Sequence, residues 1–173
     1  MENYIMFEGN KIPLTDEQIK KLRESKKPEE AKKNPFERVR NKGYYFIRYN
    51  GTVEYDFDRD SSGDICCFAI ANYCTDKQIM TQRALHETLN RLLWRFSMEN
   101  GGGENSWDVY DRDRDCNYYI TYNYDMHPAR FTVEFTWLYK INGTVYFSSK
   151  ELAQQAIEEI VKPFMNEHPE FVW

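Results

Sequence analysis

Apolar residues recur at helical spacing over one long stretch of this chain and alternate with polar ones over most of the rest. Leu85, Leu89, Leu92 and Phe96 form a stripe, widened by Ile79 and Leu93, within residues 76–100. That period predicts an amphipathic helix. Thr75 with Gln78 three residues later is a capping-box pattern that would open it, and Gly101-Gly102-Gly103 would close it. A helix of that length spans about 37 Å. It could cross a small domain, so the remaining elements are expected to pack on it.

Alternation supplies those elements. Residues 44–49 and 52–57 flank Asn50-Gly51, which predicts a hairpin with a type I′ turn. Residues 118–124 and 130–139 predict a second hairpin across His127-Pro128. A weaker one is expected over residues 3–14, followed by a short helix with Ile19 and Leu22 facing in, opened by Thr15 and Gln18. Further strands are expected at 65–73, 107–110 and 144–147. Ser148-Ser149-Lys150-Glu151 predicts a last helix with Leu152, Ala156, Ile160 and Phe164 on one face, ended or distorted by Pro163. The tail from His168 to Trp173 ends on an aromatic that is expected to dock. The fold class is therefore α+β: antiparallel sheets backed by two main helices, with a small N-terminal hairpin-helix. The expected divisions are 1–33, ending in a charged linker, then 34–103 and 104–173. A weak tandem repeat accompanies the last two. Tyr73-Cys74-Thr75-Asp76-Lys77 parallels Phe147-Ser148-Ser149-Lys150 with one residue of slack, and Gln82-Arg83-Ala84 parallels Gln154-Gln155-Ala156.

Composition narrows the function. Hydrophobic residues are 41% and aromatics 16%, enough for a core and well suited to strands. No run approaches the ~20 apolar residues of a membrane span, and no basic-apolar leader opens the chain. The expectation is a cytoplasmic protein with no membrane partner. Cys66, Cys67, Cys74 and Cys116 form no CxxC pair and read as reduced cysteines. The net charge is −5, with a basic surplus in residues 1–43 and an acidic one in 44–173. An acidic body argues against a general nucleic-acid binder, because such affinity rests on neutralising phosphates.

No catalytic set emerges, and no enzyme is expected. His86-Glu87-Thr88-Leu89-Asn90 stops one residue short of HExxH, with asparagine where zinc needs a second imidazole. Asp56-Phe57-Asp58-Arg59-Asp60 and Asp111-Arg112-Asp113-Arg114-Asp115 share the Asp-x-Asp-x-Asp spacing of calcium loops. They lack the later glycine and glutamate, and their arginines repel a cation. No metal or cofactor is expected. The carboxylates of Asp56, Asp58, Asp60, Asp64, Asp108, Asp111, Asp113 and Asp115 read either as solvated turns or as phosphate mimics that would occupy a partner's basic groove. Arg83, Arg91 and Arg95 lie on the helix face away from the leucines. Trp94 beside Arg95 is a second candidate recognition patch, since Trp and Arg are enriched in interface hot spots.

The residues Asn34-Pro35-Phe36-Glu37-Arg38-Val39, Tyr44-Tyr45-Phe46-Ile47, Ala71-Asn72-Tyr73-Cys74-Thr75-Asp76-Lys77, Gly143-Thr144-Val145-Tyr146-Phe147 and the runs 82–95 and 156–165 carry a resemblance. Over roughly residues 34–173 the chain resembles small phage and prophage accessory proteins of Gram-positive anaerobes, the setting in which anti-CRISPR counter-defence proteins occur. The resemblance brings no catalytic residues. It implies a non-enzymatic inhibitor acting in the bacterial host cell, whose partner is a CRISPR nuclease or its guide-RNA-loaded complex. Such a target reads nucleic acid through a basic channel. Two other readings stand beside it: a nucleic-acid-binding accessory protein using its aromatic sheet and arginine helix, and a structural phage protein.

Overall fold

The computed structural model describes residues 4–7, 10–18, 34–101, 103–105, 107, 116–125 and 130–173. The chain divides into two compact units, Met1–Glu37 and Arg38–Trp173. No division falls at 103/104. In the first unit β1 (Tyr4–Phe7) pairs antiparallel with β2 (Asn10–Pro13). Residues 16–18 are helical, and the Thr15 hydroxyl and Gln18 amide cap each other reciprocally, as the pattern predicts. Ile19, Leu22 and the linker up to residue 33 lie outside the described residues.

The second unit runs β3 (Gly43–Ile47), β4 (Val53–Phe57), α1 (Ser62–Ala69), α2 (Lys77–Gly101), β5 (Asn117–Asn123), β6 (Arg130–Thr136), α3 (Lys150–Ala156), a π-helical turn (Ile157–Val161) and α4 (Lys162–Glu167). The fold is α+β, and the described strands form three separate two-stranded antiparallel sheets. The 25 residues of α2 make the spine. Its first half buries Met80 and Ala84 with Ile47 and Cys74, and Tyr45 and Val53 pack against that cluster. Its second half buries Leu89, Leu93 and Phe96 with Phe147, Leu152, Ala153, Ala156, Val161, Phe164 and Phe171. Because α2 packs against both clusters, residues 38–173 do not separate after the glycines. Full burial of a large apolar side chain contributes roughly 1.5–3 kcal/mol. The second cluster, with seven buried Leu and Phe residues against none in the first, therefore anchors the unit.

Four local expectations change. Residues 65–73 are not a strand. Ser61 and Asp64 form a capping box: the Ser61 hydroxyl accepts from Asp64 N–H, and the Asp64 carboxylate accepts from Ser61 N–H. That cap starts α1 within an apolar run whose short length leaves strand and helix undecided. The β3–β4 turn is not type I′. Gly51 has φ +86°, but Asn50 has no positive φ. Gly51 N–H bonds to Arg48 O, and Arg48 N–H to Thr52 O, which makes a three-residue loop with glycine at the left-handed position. Helix α2 begins at Lys77 because the Asp76 carboxylate accepts from the N–H groups of Gln78 and Ile79, one residue later than the Thr75 pattern implied. Residues 144–147 form no strand beyond a single bridge at Phe147. Pro163 distorts its helix rather than ending it. The π turn widens the backbone just before it, which relieves the clash a proline ring makes with the carbonyl four residues earlier.

The tail docks. The Gln82 side chain donates to Glu170 O and accepts from Val172 N–H. Phe171 is buried and Trp173 packs edge-on against Phe131. Trp137 stacks on Phe135, and Trp107 meets Tyr146 edge to face.

The two hairpins of the second unit are fastened alike. Tyr45 of β3 bridges to Cys74, and Tyr118 of β5 bridges to Phe147. Two residues after each bridge comes an N-cap, Asp76 for α2 and Ser149 for α3. The same chain spacing links strand to bridge and bridge to cap in both, with no slack. In this correspondence Tyr44 matches Asn117, Ile47 matches Ile120, and Asn72 matches Val145.

Candidate functional site

The first acidic loop is largely spent inside the protein. Asp58 is fully buried, and its carboxylate takes two hydrogen bonds from the Arg38 guanidinium, at 2.7 and 2.9 Å. That guanidinium holds the Asp58 carboxyl below the usual carboxylate range. Asp64 is also buried. It accepts from the Ser61 hydroxyl and N–H, from Arg59 N–H and from the Tyr44 hydroxyl. Hydrogen bonding to Ser61, foremost, lowers its carboxyl to about 2. Burial, with the Asp64 contact next, pushes the Tyr44 hydroxyl upward. Asp60 pairs with Arg38 and Arg40, and Asp56 with Arg59. Of the candidate partner-binding carboxylates, Asp58 and Asp64 are thus corrected to buried structural groups. Asp56 and Asp60 reach the surface already paired with arginine. For Asp56 a sign of this stood in the chain itself, with Arg59 three residues on. Asp108, Asp111, Asp113 and Asp115 lie outside the described residues.

Helix α2 carries the other candidates. Glu87 pairs with Arg83 at 2.8 Å and with Arg91 at 3.1 Å, and Arg83 also donates to Ala71 O. These two arginines are partly neutralised. Arg95 has no ion pair or hydrogen bond among the described residues, and Trp94 beside it is 62% exposed. Trp94, Arg95 and Arg91 line an open groove of about 750 Å³ together with Thr88, Leu92 and the segment 143–145. Its walls are mostly apolar, with arginines at the edge. Arg83 lies outside this groove. The arginine stripe therefore splits: Arg83 ties α2 to the chain before it, while Arg91, Trp94 and Arg95 share one surface.

Other exposed apolar side chains were not legible as a group. Helix α1 buries only Asp64 and leaves Ile65 and Phe68 exposed, with Ile70 after it. Phe135, Trp137, Leu138 and Tyr139 are exposed at the end of β6. Neither patch includes an arginine beside an exposed indole, so neither matches the groove as a recognition surface. His86 packs edge-on against Phe171 at 4.7 Å, and burial raises the thiols of Cys67 and Cys74. The cysteines are free thiols. Among the described residues no three His, Cys, Asp or Glu side chains gather around a possible metal position. No described helix is long and apolar enough to cross a membrane. Comparison with protein-family models, with curated proteins and with solved structures yields no match to this chain.

Proposed function

We propose that this chain works without catalysis, by binding another macromolecule through the α2 groove, and that its target is an RNA-guided nuclease complex, which it inhibits as a counter-defence protein. The observation that carries the binding reading is Trp94, 62% exposed beside the unpaired Arg95 at the edge of an apolar groove. An exposed tryptophan next to an arginine is the pairing that dominates protein interfaces, and an apolar trough gives its partner somewhere to bury a side chain. The choice of target rests on the family resemblance over residues 34–173. The groove's positive edge fits an acidic face of such a complex better than its basic nucleic-acid channel. This displaces the phosphate-mimic idea for the first loop, whose carboxylates are already matched by arginines or, at Asp64, by Ser61 and Tyr44.

The test is co-purification with a guide-loaded nuclease and a DNA-cleavage assay, each repeated with Trp94→Ala and Arg95→Glu. The expected result is near-stoichiometric capture, loss of cleavage, and weakening of at least about thirtyfold for Trp94→Ala. Inhibition unchanged in both variants would remove the groove from the account. One rival reading uses the same observation: a Trp flanked by arginines can also stack on an unpaired base. Nuclease-sensitive nucleic acid on the purified protein, lost in Trp94→Ala, would favour it.

A further inference from the structure

Hairpins β3–β4 and β5–β6 use the same strand edge to hold the segment leading into a capped helix. Tyr45 N–H donates to Cys74 O at 2.7 Å, and Cys74 N–H returns the bond at 3.0 Å. Tyr118 and Phe147 do the same at 3.0 and 2.8 Å. Along an antiparallel strand, successive residues turn their N–H and C=O to opposite neighbours. Two residues on, Ile47 and Ile120 therefore present both groups on the same side as the bridge, away from the hairpin partner.

At Ile47 both groups are met by one side chain. Asn72 Oδ1 accepts from Ile47 N–H at 2.8 Å, and Asn72 Nδ2 donates to Ile47 O at 2.8 Å. A carboxamide completes the ladder where the backbone has left it. The residue corresponding to Asn72 in the other hairpin is Val145, which carries neither donor nor acceptor. Among the described residues, the N–H and C=O of Ile120 meet no partner, and the ladder stops at the single Phe147 bridge. A cavity of about 220 Å³ occupies the place. Ile120 and Val145 border it, with Leu89 and Leu93 of α2, Phe171 of the docked tail and the polar residues His86, Asn90 and Thr144.

An unmatched peptide donor and acceptor on one strand edge form a two-point hydrogen-bonding site. The complementary group must accept from one and donate to the other from a single planar edge. A carboxylate offers acceptors alone and an ammonium donors alone, so neither matches both groups. We infer that this cavity binds a primary carboxamide, held by Ile120 as Asn72 is held by Ile47. Its bearer is either a small molecule or an Asn or Gln side chain of another protein, since the volume suits a side-chain-sized group and not a strand. This inference does not rest on the α2 groove, since Trp94 and Arg95 do not line the cavity.

Amide-resolved NMR of the full chain tests it. Propionamide and N-acetyl-asparagine methylamide are titrated separately, with N,N-dimethylpropionamide and propionate as controls. Propionamide is expected to shift the Ile120 amide saturably and leave the Ile47 amide still. A further saturable shift with the asparagine derivative assigns a side-chain bearer, and its absence a free small molecule. Val145→Asn is expected to fill the site from within, slowing hydrogen exchange at Ile120 about fivefold and abolishing the response. Asn72→Ala is expected to confer the same response on Ile47. No saturable shift at Ile120, or equal shifts with the dimethylated amide, would overturn the inference. So would a Val145→Asn protein that keeps its full response.

Discussion

Hairpins β3–β4 and β5–β6 share a fastening and differ in what surrounds it. Around the first, the buried groups are ionic and phenolic. Tyr44 stacks on Tyr73 at 4.2 Å and donates to the buried Asp64, while Asp58 and Arg38 close the next layer. Around the second, the position of Tyr44 is taken by Asn117, fully buried and neutral. Its side-chain oxygen accepts from Asn105 N–H at 2.6 Å, and the Asn105 amide donates to Cys116 O and Ser148 O. The bridging residue also changes, from Cys74 in a small cluster to Phe147 in the large one. One backbone device is thus supported by charge in one half and by packing in the other. Backbone geometry does not dictate the chemistry that stabilises it, and the two halves should fail under different stresses.

The bridging residues give the largest contrast. Phe147→Ala should cost about 3–5 kcal/mol through the cavity it leaves, whereas Cys74→Ala should cost about 1 kcal/mol or less. Urea unfolding of both variants measures this, and equal losses would erase the distinction between the clusters. Acid should act the other way. Asp64 is lowered to about 2, Asp58 is also lowered, and an unfolded aspartate titrates near ~3.9. Their stabilisation is present above that unfolded value and disappears as pH falls from about 4 through 2. Protection of the Ile47 amide against exchange should fall over that interval before protection of the Phe147 amide does, and Asp64→Asn should flatten the difference. Simultaneous loss of protection would show that the ionic layer is not local.

The helix caps should sharpen the likeness. Asp76→Ala and Ser149→Ala each remove a side-chain acceptor from a helix start, and each should cost about 1 kcal/mol in the same denaturation assay. The smallest effect belongs to Trp94→Ala. Exposed as it is, its stability should stay within about 0.5 kcal/mol of the parent. A larger loss would make Trp94 a packing residue and weaken its place in recognition.

Much of the architecture was legible because periodicity survives in single sequences. The α2 stripe except Ile79, which is exposed, the two long hairpins and Ser149 at the last cap follow from spacing and capping chemistry, and Trp173 docks against Phe131 as the aromatic end of the tail implied. Residues 65–73 misled because Ile65-Cys66-Cys67-Phe68-Ala69-Ile70 is apolar without a period, and the deciding signal was the Ser61 and Asp64 pair just before it. The site was less legible. Burial of an aspartate depends on a distant partner, and Arg38 lies twenty residues from Asp58. Nor can spacing reveal that Val145 stands where Asn72 does, since the match runs through backbone hydrogen bonds.

The placement of the tryptophans has a practical consequence. Trp94, Trp107, Trp137 and Trp173 all follow the first half of α2, and the stretch holding β3, β4 and α1 contains tyrosines and phenylalanines but no tryptophan. Trp173 and Trp107 pack against Phe131 and Tyr146, both around the second hairpin. Indole emission is therefore a private signal of one half. A melting curve followed at tryptophan wavelengths can look cooperative while the β3–β4 hairpin loosens silently, and a phenol-sensitive channel, such as near-ultraviolet dichroism of Tyr44 stacked on Tyr73, reads the other.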